Sequence, residues 1–440
     1  MSASPAGPHL VVAGGGYVGM YTALGLQRRL RSGEGLVTVI DPRSAMTYQP
    51  FLPEAAAGNL EPRHVVVPLR KTLHGCEVIT GRVTGVSTAA STVTVSTPES
   101  DPYELHYDEL VVAFGSVSRT LPVPGLRDNA MAFHQVEEAI ALRNQVLDRL
   151  DSAASVRDPA IRARALSFVF VGGGYAGIEA LGEIEDMARF ATRYYPTVDE
   201  SDLRFILVEA TDHILPEVGR ALGRYTVERL RRRGIDVRLN TRLDSCVDRH
   251  VVLSDGTELD ADTIVWTAGV KASPALRATD LPLDDRGRVR AHPDLRVDGV
   301  EHVWTAGDNA AVPDLTNPGA FCSPTAQHAV RQARVLAANI VRSLRGEPLH
   351  DYRHRSAGSL ASLGLYKGVA QVYGVRLRGF PAWFMHRTYH MSRLPTFNRK
   401  VRVVLDWTTD LFFRRDIVSL GTLHHPREEF SRASSDPPAG

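Results

Sequence analysis

The sequence predicts an α/β protein made of two Rossmann-like dinucleotide-binding domains and a C-terminal segment of different character. Two glycine motifs, and the acid that follows each, carry that prediction. Residues 9–26 read HLVVAGGGYVGMYTALGL and residues 167–182 read SFVFVGGGYAGIEALG. Each is an apolar β-prone run that meets G-x-G-x-x-G and continues as a helix-like run with small residues. The copies begin at Gly14 and Gly172, 158 residues apart, which is the size of a domain and not of a solenoid repeat.

The chemistry of each copy is the same. Gly14 and Gly172 make the tight turn, Gly16 and Gly174 let the backbone approach a pyrophosphate, and Gly19 and Gly177 let helix and strand pack closely. The helix N-terminus then offers free N–H groups to the phosphates. An acid for the ribose hydroxyls belongs at the end of the next strand, and the apolar runs 37–40 and 205–208 end at Asp41 and Glu209. Those acids lie 27 and 37 residues after the first glycine, against roughly 20 in the usual unit. The second unit is therefore expected to hold a longer helix or an insertion around residues 188–202.

Around these units, residues 119–129 (RTLPVPGLRDN) are rich in turn formers and read as a crossing between domains, followed by helical spacing over 136–150. The strand-like runs 109–113, 263–267 and 300–305 lead into Gly115, Gly269 and Gly307-Asp308. The C-terminal ends of parallel strands are where such sheets bind ligands. From Asp351 onward the pattern stops.

Composition narrows the function. At 440 residues the chain suits two to three domains. Its 43% hydrophobic and 23% charged content excludes disorder, collagen and coiled coil. Lys plus Arg at 51 against Asp plus Glu at 50 leaves no global field for nucleic acid. Cys76, Cys246 and Cys322 are far apart without C-x-x-C, so no disulfide framework or thiolate metal site is expected and a reducing compartment fits. The apolar stretch 10–26 lacks a basic n-region and carries Gly14, Gly15, Gly16 and Gly19, which mark a turn and not a signal peptide. No apolar run reaches the eighteen or so residues of a spanning helix.

Beyond the glycine motifs, five segments make the sequence resemble the type II NADH dehydrogenases, single-chain NADH:quinone oxidoreductases. They are MTYQPFLPEAAAGNLEPRHVVVPLR (46–70), ALRNQVLDRLDSA (141–153), VWTAGVKASP (265–274), VWTAGDNAAVPD (303–314) and PTAQHAVRQA (324–333). The resemblance runs from about Leu10 to about Leu420. It implies a discontinuous FAD-binding domain (1–125 and 295–350), an NADH-binding domain (126–294), a membrane-associating region (351–425) and a disordered tail (426–440).

Carried over residue by residue, the resemblance gives the FAD pyrophosphate to Gly14, Gly16 and Gly19 and its ribose to Asp41, where the family usually has Glu. Asp308 resembles the acid that hydrogen-bonds the flavin ribitol, with a turn or helix-capping aspartate as the alternative. Gln49, Val83, Ala113 and Gly115 complete the implied flavin contacts. Gly172, Gly174, Tyr175, Gly177 and Gly269 fall to NADH, with Glu209 on its ribose, where a carboxylate repels the 2′-phosphate of NADPH. Glu183, four residues after Glu179 in GIEALGEIED, resembles the family's Glu near the flavin and the nicotinamide, at the quinone side; the alternative is a solvated helix carboxylate. Gln327 resembles the Gln of the A-Q-x-A segment that faces flavin and quinone. Some members carry a second Gln at the position of Arg331, so Gln327 is carried over and Gln332 is not. Lys367 stands where the family often has a basic residue, but a surface lysine is the simpler reading.

Between Arg376 and Arg415, basic residues mix with Trp383, Phe384, Tyr389, Phe397, Trp407, Phe412 and Phe413, as in a segment lying in a membrane interface. A packed amphipathic helix pair is the alternative. The implied protein is a peripheral enzyme on the cytoplasmic face of the cell membrane. It passes hydride from NADH to FAD and two electrons to menaquinone or ubiquinone, without pumping protons, and pairs as a homodimer. A disulfide reductase lacks its C-x₄-C pair here, and a sulfide:quinone oxidoreductase would need cysteines flanking the flavin. A flavoprotein reductase with a ferredoxin-like or small-molecule acceptor, or a flavin- and NADH-binding redox sensor, remain the other readings.

Overall fold

The computed structural model describes residues 7–356, 358–413 and 415–419. The tail expected to be disordered, 426–440, lies outside the described residues. Seven helices recur around the site: α1 (Tyr17–Arg29), α2 (Leu52–Ala56), α3 (Val136–Ser155), α4 (Tyr175–Ala191), α5 (Ala326–Leu344), α6 (Phe380–Arg393) and α7 (Phe397–Phe412).

Two five-stranded parallel sheets carry the two glycine motifs. The first runs Val303–Thr305, Glu109–Val112, His9–Ala13, Leu36–Asp41, Glu77–Thr80 across the sheet. The second runs Ala130–Ala132, Thr263–Trp266, Ser167–Val171, Arg204–Val208, Asp236–Arg238. In both, the motif-bearing strand is central and the acid-bearing strand is its neighbour. The central strands are buried on both faces, which is why they read as continuous apolar runs. The late strand Val303–Thr305 joins the first sheet beside Glu109–Val112, so residues some 190 positions apart share one sheet edge. Each unit also carries a three-stranded antiparallel sheet, Arg82–Ser87 with its two partners in one and Leu243–Ser245 with its two in the other.

The lengthened second unit resolves as a 17-residue α4 followed by 3₁₀ turns at Thr192–Tyr194 and Glu200–Asp202. After the second unit the chain makes an antiparallel hairpin pair (Gly358–Ser362, Gly368–Val372, Val375–Arg378) and then α6 and α7. These do not stand apart from the core. A Cβ on Gly182 of α4 would meet the Leu363 carbonyl oxygen at 2.8 Å, so glycine there is what lets the hairpin press against α4 and deliver Ser362. α6 packs on the same hairpin and buries Trp383, His386 and Arg387.

The aromatic residues of this region divide by face. Trp383 and Trp407 turn inward and clasp the Arg387 guanidinium at 4.4 and 4.8 Å. Phe384, Phe397, Phe412 and Phe413 point outward, with Phe397 81% and Phe412 79% exposed. The packed pair and the exposed apolar surface are thus two faces of the same helices. No helix among the described residues is long and apolar enough to cross a membrane.

Candidate active site

The two glycine turns repeat each other bond for bond. Gly14 N–H donates to Ile40 O at 2.8 Å and Gly172 N–H to Val208 O at 2.9 Å. Both glycines sit at φ +116°, which an L side chain rarely adopts. Gly15 N–H donates to Asp41 Oδ2 at 2.7 Å, and Gly173 N–H to Glu209 Oε2 at 2.6 Å. A Cβ on Gly19 or Gly177 would collide with the carbonyl of Gly14 or Gly172, so each helix can lie against its strand only as glycine. Gly16 and Gly174 differ in kind: both have ordinary negative φ, and a Cβ on either would meet nothing within 4 Å. Their backbones face open space at a helix N-terminus whose N–H groups carry no capping side chain, a fit for a pyrophosphate at each.

Asp308 sits in a 3₁₀ turn, Gly307–Asn309, reached from the end of strand Val303–Thr305. Its Oδ2 accepts from the Ser116 hydroxyl at 2.7 Å, and burial raises its pKa against that bond. It caps no helix; α5 is capped by Thr325, whose side chain accepts from His328 N. Gln332 is buried and its Oε1 accepts from Gly307 N–H at 2.7 Å, so it holds the Asp308 turn in place. Gly115 N–H donates to Asn309 Oδ1 at 3.0 Å from the adjoining strand end, just after the buried Ala113. The Tyr17 hydroxyl, buried near the Gln49 backbone and Asp308, makes no hydrogen bond of ordinary geometry. An orphaned hydroxyl and a half-satisfied buried carboxyl fit a polar chain such as a flavin's ribitol. Gln49 itself donates to the His134 carbonyl at 3.2 Å, Val83 is buried in the strand Arg82–Ser87, and Gly269 lies open at φ +92°.

Tyr175 opens α4 near Ser359 and Glu179, and burial pushes its hydroxyl pKa up. Two turns on, Glu183 is fully buried, which removes the solvated-carboxylate alternative. Its Oε2 accepts from Asn59 Nδ2 at 3.0 Å and its Oε1 from Ser362 Oγ at 3.1 Å. Burial first, and the neighbouring Glu54 second, push its pKa up to about 7. Two further buried carboxylates surround it. Glu54 of α2 pairs with Arg387 at 2.7 Å and takes the Trp407 indole N–H at 2.9 Å, while Glu179 pairs with His386 at 2.9 Å. Asn59 also lines a cavity of about 310 Å³ with Asp186, Lys367, Trp383, Arg387 and Asp410. Lys367 is not a free surface lysine: its ammonium meets Asp186 at 2.9 Å.

Gln327 lies half-buried on the first turn of α5, where its carbonyl accepts from Arg331 at 3.0 Å. Its side chain makes no hydrogen bond among the described residues, and none joins it to Glu183. The sequence reading missed Glu54, Asn59, Ser362, His386 and Arg387. Glu54 and Asn59 lie inside the 46–70 segment, but nothing in one dimension ties them to α6, more than 300 residues away. All three cysteines are free, Cys246 buried and the others half-buried.

The chain matches the family model described as pyridine nucleotide-disulphide oxidoreductase over residues 8–333. It is 30% identical to a probable NADH dehydrogenase of Dictyostelium discoideum over 93% of this chain and 91% of that one. It is also 30% identical to a type II NADH:quinone oxidoreductase of Staphylococcus epidermidis, over 86% of this chain and 93% of the relative. The solved structure of NDH2 from Plasmodium falciparum in complex with NADH shares the fold with a TM-score of 0.86 at 17% identity, covering 93% of this chain and 99% of that one.

Proposed function

Since the chain belongs to the pyridine nucleotide-disulphide oxidoreductase family and, within it, to the type II NADH:quinone oxidoreductases, we infer that it carries two electrons from NADH to a quinone. The observation that carries this reading is the doubled glycine turn, two nucleotide cradles of one geometry, beside a buried carboxyl whose pKa stands near neutral. We read the first cradle, with Asp41 and Asp308, as the FAD site and the second, with Glu209, as the NADH site. The FAD-binding domain then comprises 1–125 with 295–350, and the NADH-binding domain 126–294. A bound flavin supplies the hydride acceptance and the release of the electron pair. The chain's own part is to hold the nucleotides through backbone N–H groups, to orient the acceptor with Gln327, and to keep a proton on the buried Glu183.

Glu209 is also the basis of nucleotide choice. Both its oxygens are engaged, Oε1 by Thr211 N at 2.7 Å and Oε2 by Gly173 N, so Ala would loosen the turn as well as remove charge. Glu209→Gln removes the charge and keeps one of the two acceptor oxygens, so it disturbs the turn less than Ala. It should raise kcat/KM for NADPH relative to NADH by about tenfold, which is about 1.4 kcal/mol. An unchanged ratio in steady-state assays takes Glu209 out of that role.

We further propose that the enzyme rests peripherally on the cytoplasmic face of the membrane through α7. That helix exposes Phe397, Leu405, Leu411 and Phe412, with Lys400 and Arg402 among them, a mixture that suits an anionic lipid interface. Deleting everything after Gly374 would not test this cleanly, because it removes Arg387 and His386 from Glu54 and Glu179 and leaves buried carboxylates unpaired. Phe397→Asp with Phe412→Asp alters only the exposed face. With a long-chain quinone in anionic vesicles the double variant should lose most NADH oxidation, while a water-soluble quinone supports native rates. Equal vesicle rates would place the docking surface elsewhere, and no quinone-dependent oxidation in the native protein would overturn the function itself.

A further inference from the structure

Adjacent residues of α6 enter the core and meet different carboxylates. Arg387 takes Glu54, with its Nε donating to Oε1 at 3.2 Å and its Nη2 lying 2.7 Å from Oε2 as an ion pair. His386, 2% exposed, places Nε2 2.9 Å from Glu179 Oε1. Glu183, one turn beyond Glu179 on the same face of α4, receives only the neutral Asn59 amide and Ser362 hydroxyl. Ser362 spans the pair, its N–H on Glu179 at 2.9 Å and its O–H on Glu183. Glu54 and Glu179 thus each hold a cation in direct contact, and Glu183 holds none.

We propose that His386 is a positioning residue for quinone reduction: its imidazolium compensates the charge of Glu179, so that Glu183 alone among these carboxyls takes up and gives back a proton in turnover. This rests on the reading of the chain as a quinone reductase. The balance is NADH + H⁺ + quinone → NAD⁺ + quinol: one hydrogen arrives with the NADH electron pair and the other comes from solvent. Glu183 holds the second, taken from the cavity side past Asn59 and passed to the quinol oxygen.

The charged groups facing Glu183 come from every neighbouring element. They are Glu179 and Asp186 on α4, Glu54 on α2, His386 and Arg387 on α6, Arg415 after α7, and Arg233. Facing His386 are Glu179, Glu54, Glu183 and the His390 ring 4.6 Å away. Burial opposes charge on His386 most strongly, but Glu179 beside it, with Glu54 and Glu183 behind, together outweigh that and its pKa is raised. His390 is pressed the other way by burial and by His386, so the single positive charge belongs to His386.

The test is the pH profile of quinone-dependent turnover at saturating NADH, set beside the profile of the NADH-driven flavin reduction step. The native enzyme should lose quinone turnover above about pH 7 as Glu183 gives up its proton. His386→Gln leaves Glu179 uncompensated beside Glu183 and should move that limb up by about one pH unit and broaden it, because two carboxyls then share the proton. Glu179→Gln together with His386→Gln removes both charges and should return the limb to its native place. His386→Lys keeps the cation and should leave the limb unmoved. A limb unmoved by His386→Gln, or one not restored in the double variant, overturns the proposal. Should His386→Gln fail to fold, a His386→Lys limb displaced from the native one overturns it equally. If instead Glu183→Gln keeps the native limb, the reading of Glu183 itself fails.

Discussion

Gly174→Val should leave the protein folded and loaded with flavin, yet almost unable to take hydride from NADH. The position has φ −75° and ψ −177°, ordinary extended backbone, and a Cβ there touches nothing within 4 Å, so the substitution costs the fold little. What it fills is the space in front of the α4 N-terminus where a pyrophosphate would approach the backbone. An isopropyl group in that space should raise the KM for NADH on the order of 100-fold, about 3 kcal/mol of lost binding. Gly16→Val, its counterpart in the first unit, should instead yield protein without flavin. The contrast with Gly177 matters, since a Cβ there strikes the Gly172 carbonyl and would break the helix–strand contact in any ligand state. Native-like NADH saturation in Gly174→Val would mean that the second cradle is not the nucleotide site.

The second large effect belongs to Glu183. Glu183→Gln keeps an amide in reach of the Asn59 and Ser362 donors but cannot deliver a proton, so reoxidation by quinone should slow on the order of 10²-fold while reduction by NADH stays near native. The same variant has a stability signature that owes nothing to activity. Glu183 has a folded pKa near 7, above its ordinary value of 4.5, so its contribution to stability is fully present below pH 4.5 and is lost as the pH rises to about 7. A displacement of that size corresponds to roughly 3 kcal/mol. Gln carries no such penalty. Thermal unfolding should therefore show Glu183→Gln and the native protein alike near pH 5, with the variant higher by a few degrees at pH 8. A variant less stable than native at pH 8 would show that the carboxyl is ionised at no cost in the fold.

The two glycine turns were open to the sequence because their physics is local. A turn that needs positive φ, a helix that must touch a strand, and an acid at the next strand end all fall within some 40 residues, and residue type alone encodes them. The parallel sheets followed from the same runs, whereas the return of Val303–Thr305 to the first sheet was implied by the family resemblance and not by the runs. The buried carboxyl cluster was not legible, because its contacts join Glu54 to Arg387 and Glu179 to His386 across the whole chain. A single Glu on a helix reads the same whether it faces water or Ser362. The C-terminal aromatics were half legible: their mixture with bases showed, but which rings clasp Arg387 and which face outward depends on how α6 and α7 seat against α2 and α4. Lys367 read as a surface residue for the same reason, since Asp186 reaches it from 181 positions away.

The measurement that tests the whole account is anaerobic stopped-flow on the purified protein, mixing first with NADH and then with a menaquinone or ubiquinone analogue while following the flavin absorbance. NADH should bleach the flavin and quinone should promptly restore it, with the recovery alone slowed in Glu183→Gln. Bleaching that recovers only with oxygen or a protein acceptor would contradict the quinone assignment, and no bleaching would contradict the reading of both glycine cradles.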